Sequence, residues 1–511
     1  MKQAVIIFTR VPVPGHTKTR LMPLLSGEDC AGLHREMIRR VYQACRGVDG
    51  DILVFFTPED SGGSLRGLLK KAKGFFPQKG DGLGERMSRA FVQAFRLGYE
   101  RVLLIGTDLL QISAEILQEG FRDLSGHDAV MNPTEDGGYY LIGLKEARDD
   151  IWDVPSYGTD TVFRDTLCRM EKAGLRVAVG QCLTDIDTPE DLAVWYGTDR
   201  CIRCGVCTEN CLFLQKYGIN LAELSERPEL AYSCFLCGRC KAVCPEEIDG
   251  GRIAVLMRQM RADRSGASYK GLLWEKNPYK FAAYGKGRKK SVLFPGCNFP
   301  SFYPKTTGYL EWLMKGHGIG TVYDCCQKPV YELGLRAEAE ENLEQMAARL
   351  KSRGVEELIL LCPNCYHFLK GRLDIPMTTV YRKLKELGEG QMFRNERIPV
   401  YVPCPDREEK EMFGELGIYL EGKVEEPFYH VQCCGLGGCA GVREPELAQR
   451  MADTAKEQGG TLYTYCASCV SSFRRKGMKE VCHLLPLILG IEEKVPLGIQ
   501  PFLNRAGKKL W

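Results

Sequence analysis

The sequence predicts an α/β protein built in parts: an N-terminal α/β layer domain, a small α-helical module, and two copies of an α/β cysteine-rich domain. Three observations predict it. Apolar runs alternate with helical patterns through residues 1–198, the order that layers helices on a mostly parallel sheet. Eighteen of the 24 cysteines fall into four repeated spacings, all beyond residue 200. One pattern of strand, cysteine pair, amphipathic helix and Cys-x2-Cys occurs twice, over 291–395 and 396–490, which marks an internal duplication.

In chain order, Ala4 to Phe8 reads as a strand, Glu28 to Cys45 as a helix and Asp51 to Thr57 as a strand. Glu85 to Arg96 is a helix with Met87, Ala90, Phe91, Ala94 and Phe95 on one face. Arg101 to Ile105 is a strand that ends in Gly106-Thr107-Asp108. The composition shifts after Asp185-Ile-Asp-Thr-Pro-Glu-Asp-Leu192. Residues 199–260 form a cysteine-dense module ending in a helix from Ile253 to Met260, 261–290 a linker, and 491–511 a C-terminal tail. In the duplicated domains, strands from Val292 to Cys297 and from Val400 to Cys404 open each copy. Strands from Leu358 and from Leu462 run into each Cys-x2-Cys. Cys30, Cys45, Cys168 and Cys182 follow no ligand spacing and read as buried small hydrophobes.

After the first strand comes Phe8-Thr-Arg-Val-Pro-Val-Pro-Gly-His-Thr-Lys-Thr-Arg-Leu21. Such a loop can set backbone amides and the cations Arg10, Lys18 and Arg20 against phosphate, and a basic surface loop is the bland alternative. Asp108 at a strand end and Asp185-x-Asp187 further on suit a divalent cation held against a diphosphate. Glu135-Asp136-Gly-Gly-Tyr-Tyr140 adds an acidic turn for the acceptor side. FTRxPxPGxTKTRL, GDGLGERM, IGTD, EDGGYYLIGL, YGTDTV and DIDTPEDL, in that order, resemble a small glycosyltransferase-like family, associated with arsenosugar biosynthesis, that has the nucleotide-diphospho-sugar transferase (type A) fold. The resemblance implies Lys18 and Arg20 at the nucleotide phosphates, Asp108 and Asp187 on Mg²⁺ or Mn²⁺, and Asp136 near the acceptor. Asp108 and Asp136 are the catalytic candidates for transfer of a sugar or nucleotidyl group. Leu109-Leu110 stands where a second acid would complete a two-acid metal motif.

Cys201-x2-Cys204-x2-Cys207-x3-Cys211 and Cys234-x2-Cys237-x2-Cys240-x3-Cys244-Pro245 are ferredoxin-type runs. Three thiolates of a tight loop hold one face of a [4Fe–4S] cube, and the fourth of each run serves the other cluster. Cys201, Cys204, Cys207 and Cys244 are therefore expected on one cluster, and Cys234, Cys237, Cys240 and Cys211 on the second. Paired structural zinc sites are the competing reading.

Each duplicated domain offers five more thiols: Cys297, Cys325, Cys326, Cys362 and Cys365, then Cys404, Cys433, Cys434, Cys466 and Cys469. The arrangement resembles the "CCG" domains of heterodisulfide reductase and glycolate oxidase-type iron–sulfur subunits, whose two ferredoxin motifs and two cysteine-rich domains run in this order. It implies one or two further [4Fe–4S] clusters, non-cubane or ordinary cubes with a spare thiol. The first copy departs from the pattern: Gln327 follows its cysteine pair where Gly435 follows the second. Cys439 and Cys482 carry no assignment. His317, His367, His430 and His483 lie near the modules, where histidines can carry protons, but packing or surface roles are the default for each.

Composition bounds the rest. A 44% hydrophobic and 26% charged chain is of globular type, and a net charge of +3 carries no footprint for nucleic acid. No apolar run is long enough to span a bilayer. That leaves a cytoplasmic protein, peripheral on a membrane only through a partner, with thiols reduced and clustered for metal. Without a dinucleotide fingerprint or a flavin site, its electrons come from a flavoprotein dehydrogenase or a ferredoxin. The reading is a bifunctional fusion of a nucleotide-sugar or nucleotidyl transferase with a heterodisulfide-reductase-type iron–sulfur oxidoreductase. The alternative is an electron-transfer subunit whose N-terminal domain only binds a nucleotide or a partner.

Overall fold

The computed structural model describes residues 2–59, 62–154, 156–262, 282–285 and 288–508. Most of the expected linker, residues 263–281 with 286 and 287, lies outside them. The chain divides into two units, Met1–Asp199 and Arg200–Trp511. Among the described residues no helix is long and apolar enough to cross a membrane.

The first unit is a seven-stranded sheet of β1 (Gln3–Arg10), β2 (Asp51–Thr57), β3 (Gly74–Pro77), β4 (Arg101–Ile105), β5 (Ala129–Pro133), β6 (Tyr139–Leu144) and β7 (Val177–Val179). The order is β3-β2-β1-β4-β6-β5-β7. Neighbours are parallel except β6, which runs antiparallel to β4 and β5. The acidic turn Glu135-Asp136-Gly137-Gly138 causes that reversal. Gly137 has φ +87°, and a β-carbon there would sit 2.0 Å from the Asp160 carbonyl oxygen, so only glycine fits.

Side-chain alternation along β1 builds two cores. Val5 and Ile7 pack with Ile38, Val41, Leu117 and Phe121, from helices Gly27–Arg46 and Ala114–Gly126. Ala4 and Ile6 pack on the opposite face with Met87, Phe91 and Met170, from helices Leu83–Arg96 and Val162–Lys172. The apolar face read from Met87, Ala90, Phe91 and Ala94 is this buried face. The loops at the C-terminal ends of β1 and β4 carry the phosphate and metal candidates, where ligands bind in open α/β sheets.

In the second unit, short helices fold the two ferredoxin-type runs, and helix Gly250–Arg261 follows them. The first cysteine-rich module has a parallel sheet in the order β10 (Gly320–Thr321), β9 (Ser291–Phe294), β12 (Glu357–Leu360), β13 (Met377–Thr379). Alongside it β11 (Tyr323–Asp324) pairs with β8 (Ala282–Ala283). The second module pairs β14 (Phe393–Pro399) with β15 (Leu420–Glu425), and β16 (Leu462–Thr464) with β17 (Val481–His483). One correction falls here: its opening strand ends at Pro399. Val400 makes a single bridge to Tyr463, and Cys404 begins a 3-10 turn. Prolines 399, 403 and 405 remove the amide donors that a continuing strand needs.

Candidate functional site

In the first unit a cleft of about 530 Å³ opens beside the ends of β1 and β4; Arg10, Lys18, Arg20, His34, Arg86, Asp108, Asp136 and Asp187 line it. Lys18 is in the left-handed region at φ +53°. Its Nζ lies 2.7 Å from Asp108 Oδ1 and 2.6 Å from Asp187 Oδ1, with Arg20 3.6 Å from Asp187 Oδ2. Burial works against the Lys18 charge, but the two carboxylates outweigh it and raise its pKa. Burial likewise opposes the charge of Asp108, and Lys18 holds its carboxyl below the usual range.

The second acid reaches this point by a tertiary route. Leu109 bridges Asp185, and the Ile186 amide donates to the Asp108 carbonyl. Thr188 then caps helix Pro189–Tyr196, and Asp191 accepts from the amides of Asp187 and Thr188. Leu109 and Leu110, where a second acid was missing, are core residues. Two carboxylates meeting at one cation fit a site where Mg²⁺ takes one or two carboxylates and substrate phosphates. Among the described residues no group of three ligands forms an ion cage there. Asp136 Oδ1 accepts from Thr134 Oγ1 at 2.5 Å and from the Gly138 amide at 3.0 Å, which fixes it on the acidic turn facing the same cleft.

Sequence reasoning missed a buried polar cluster beneath Lys18. Thr9 and Thr107 hydroxyls lie 2.9 Å apart, and His34 Nε2 is 3.3 and 3.1 Å from them. Burial lowers the His34 pKa to about 4, so the ring is neutral at ordinary pH. Thr9 and Thr107 sit inside the quoted FTR and GTD motifs; His34, on a helix, carried no signal.

In the second unit, Cys244 lines one small pocket with Cys201, Cys204 and Cys207. Cys211 lies instead with the second run. Burial, the largest cause, raises the pKa values of Cys234, Cys237 and Cys240; Cys211 and Cys237 add to it at Cys234 and Cys240, and Cys404 of the second cysteine-rich module adds to it at Cys237. Gln432 Nε2 donates to Cys211 Sγ at 3.5 Å and to Cys237 Sγ at 3.6 Å, while its Oε1 accepts from the Leu212 amide. Gln432 precedes Cys433, so one side chain joins the second thiol set to the second cysteine-rich module.

The two modules hold their five thiols in the same linear order. Hydrogen-bonded neighbours run Cys297–Cys325–Cys326–Cys365–Cys362 in the first. They run Cys404–Cys433–Cys434–Cys469–Cys466 in the second. In both, the second cysteine of the pair is the acidic one. Donation from Cys325 and Cys365 drops Cys326 well below the ordinary thiol, and donation from Cys433 and Cys469 lowers Cys434 to about 5. Thiolate is the form that ligates metal. Backbone amides add to this: Leu236 to Cys234 Sγ at 3.4 Å, Gln327 to Cys325 Sγ at 3.4 Å, Gly435 to Cys433 Sγ at 3.3 Å. Gln327 keeps φ +65° where Gly435 has +75°, so the lost glycine leaves the corner intact. All five thiols of the second set and four of the first, all but Cys325, line one cavity of about 260 Å³, with Cys237 and Cys439 also on its wall. Thiols gathered and amide-bonded in this way fit iron–sulfur ligation.

Residues 197–248 match a 4Fe-4S dicluster domain, and residues 291–370 and 401–474 each match a cysteine-rich domain. Residues 40–159 match an uncharacterized protein conserved in bacteria (DUF2064). The 2-phospho-L-lactate guanylyltransferase of Methanocaldococcus jannaschii is 26% identical over 178 residues, 34% of this chain and 75% of that protein. A polypeptide of the fumarate reductase (CoM/CoB) of Methanothermobacter marburgensis is 24% identical over 363 residues, 57% of this chain and 72% of that protein. The chain joins a nucleotidyltransferase-like domain to a heterodisulfide-reductase-like iron–sulfur domain. A solved structure from Desulfovibrio desulfuricans G20, assigned as a nucleotide-diphospho-sugar transferase, is 32% identical with a TM-score of 0.37, and covers 40% of this chain and 91% of that one.

Within the nucleotidyltransferase-like domain, Cys30 and Cys45 are buried as expected, but Cys168 and Cys182 are exposed, a correction to their reading as core. In the iron–sulfur domain His367 is no simple surface residue. Its Nε2 is 2.7 Å from Asp406 Oδ1, and Tyr465 donates to Asp406 Oδ2 at 2.5 Å. His317 pairs with Glu389, His430 contacts Gln458, and His483 packs between Phe299 and Tyr303.

Proposed function

We propose that the iron–sulfur domain reduces a disulfide and that the nucleotidyltransferase-like domain transfers a nucleotidyl or sugar group from a nucleotide donor. The observation that carries the first part is the pair of matching five-thiol chains, nine of whose ten thiols line one cavity that also reaches Cys237 of the ferredoxin-type module. Reduction follows RSSR′ + 2 e⁻ + 2 H⁺ → RSH + R′SH. Clusters bound at these thiols supply one-electron steps. Cys201, Cys204, Cys207 and Cys244 hold the outer cluster, since Cys204 is exposed. Cys211, Cys234, Cys237 and Cys240 hold the inner one. A flavoprotein or a ferredoxin is the electron donor, and Gln432 and Arg407 join the inner set to Cys404 and Cys433.

In the other half, Arg10, Lys18 and Arg20 hold the phosphates, Asp108 and Asp187 hold Mg²⁺ or Mn²⁺, and Asp136 faces the acceptor. The cation would neutralise charge growing on the leaving phosphate. Lys18 keeps the two carboxylates converged on that point.

The test uses anaerobically purified full-length chain. Chemically reduced protein should release thiol from a disulfide, and its EPR spectrum should change when thiol is added. Colourless, iron-free material would remove the redox reading. In parallel, transfer from nucleotide donors should be metal-dependent and fall at least about 100-fold in Lys18→Met. Nucleotide binding without turnover in the unaltered chain would favour a domain that only recognises its ligand.

A further inference from the structure

Among the described residues, the thiol-lined cavity has one cation and one carboxylate on its wall. Its other lining residues are cysteines, glycines, prolines, Phe235, Leu236, Leu436, and the neutral polar Asn298, Asn364 and Ser468. The cation is Lys328 and the carboxylate is Glu332, an ion pair one turn apart on helix Lys328–Glu332. Both come from the first module.

Among the described residues the second module puts no charged side chain on this wall; its cations Arg407 and Lys476 reach Cys404 Sγ and the Cys434 carbonyl from outside the lining. The left-handed corner after each cysteine pair is the same, so the residues that follow it can be compared directly. Lys328 and Pro329 correspond to Leu436 and Gly437, and all four line the cavity. The duplication that keeps ten thiols alike therefore leaves the wall polar at one end and apolar at the other. A partly buried charged pair facing a thiol-rich space is costly unless it is matched. Glu332 is anchored from behind, its backbone carbonyl accepting from Arg258 Nη1 at 2.7 Å.

We propose that the Lys328–Glu332 pair selects small thiols and disulfides that carry both a carboxylate and an ammonium group. This rests on the disulfide-reductase reading above and names its substrate class. Such a ligand exchanges the internal ion pair for two crossed ones: its carboxylate on Lys328 and its ammonium on Glu332. No buried charge is left unpaired in either state. A ligand with only one charge strands the opposite protein group, and a neutral ligand gains nothing from the pair. Size points the same way. The cavity is about 260 Å³ and must also hold what the nine lining thiols of the two sets bind, so a small thiol fits it better than a large cofactor.

The experiment is an EPR titration of anaerobic, iron-replete, full-length protein with four thiols of similar size. These are cysteine (both charges), 3-mercaptopropionate (carboxylate only), cysteamine (ammonium only) and 2-mercaptoethanol (neutral). Half-saturation for cysteine should fall at least about tenfold below the other three. In Lys328→Met the cysteine advantage over cysteamine should vanish, and in Glu332→Gln its advantage over 3-mercaptopropionate should vanish. Iron content is measured on each variant. If a variant assembles poorly, the order of the four thiols on the unaltered protein decides alone. A spectral response that ignores ligand charge overturns this inference and leaves disulfide chemistry standing, as does an equal loss of all four thiols in both variants at full iron content. No response to any thiol overturns both.

Discussion

At the scale of single residues, charge placement in the cleft makes a pH prediction. Burial, with Asp136 and Asp187 adding repulsion, raises the Asp185 pKa to about 6. Its unfolded value is near 4. Because the folded value is the higher one, the stability linked to this group is fully present below about 4 and is lost as pH rises through about 6. Asp185→Asn should therefore raise the melting temperature of the first unit at pH 7–8, with the gain shrinking to nothing toward pH 4. Thermal melts of the full chain across that range check it, and a gain independent of pH would contradict it. Asp185 was visible in the sequence only as half of an Asp-x-Asp motif. The partner that matters for Asp187, Lys18, lies at the other end of the unit and reaches it because Leu109 pairs with Asp185. Such a meeting depends on strand order and leaves no trace in local spacing.

At the scale of elements, the cysteine corners were the most legible part of the chain. The spacings themselves name the thiols, because cluster ligation demands short loops of fixed reach. The strands of the first unit were legible for the same kind of reason: Asp51–Thr57 and Arg101–Ile105 were read with the bounds they have, since fully buried apolar runs end where polar loops begin. The antiparallel β6 was not, because an apolar run carries no direction. Neither was the equivalence of Gln327 with glycine. A non-glycine residue at φ +65° costs about 1 kcal/mol, and here Gln327 recovers part of it. Its amide group donates to the Cys325 carbonyl and accepts from Asn342. Gln327→Gly should leave both stability and iron content close to unchanged. Gly435→Ala should cost about 2 kcal/mol or more, because its β-carbon would lie 2.9 Å from Ala448 Cβ and 3.0 Å from Ala448 Cα. Iron and sulfide per chain, with chemical denaturation, separate the two. Equal losses would refute the claim that the corners are alike.

At the scale of the molecule, one buried side chain ties the iron–sulfur unit together. Arg258 is fully buried. Its guanidinium donates to the carbonyls of Ala231 and Cys234 in the ferredoxin-type module, Glu332 in the first cysteine-rich module and Gly438 in the second. The close approach is possible because Gly334 and Gly438 have no β-carbon; one built at Gly334 would lie 2.4 Å from the Arg258 backbone. Arg258→Met removes a buried charge held by these carbonyls and by the Tyr232 ring, 5.0 Å away, and takes this donor from all four carbonyls. The expected loss is about 3–5 kcal/mol for the second unit, read as a lower denaturant midpoint for bleaching of visible cluster absorbance. A midpoint unchanged from the parent would show that the modules are held by other contacts. The sequence marked none of this: Arg258 is one basic residue on an amphipathic helix, and its four acceptors come from three separate stretches of chain.

Gln432 has a consequence of its own. Because one carboxamide rests on sulfurs of the ferredoxin-type set and the next residue along is a thiol of the second module, the two thiol sets are linked by a few covalent bonds of a single peptide. The spacing between Gln432 and Cys433 is fixed by the backbone itself. Whatever the loops around it do, that splice keeps the two thiol sets in register.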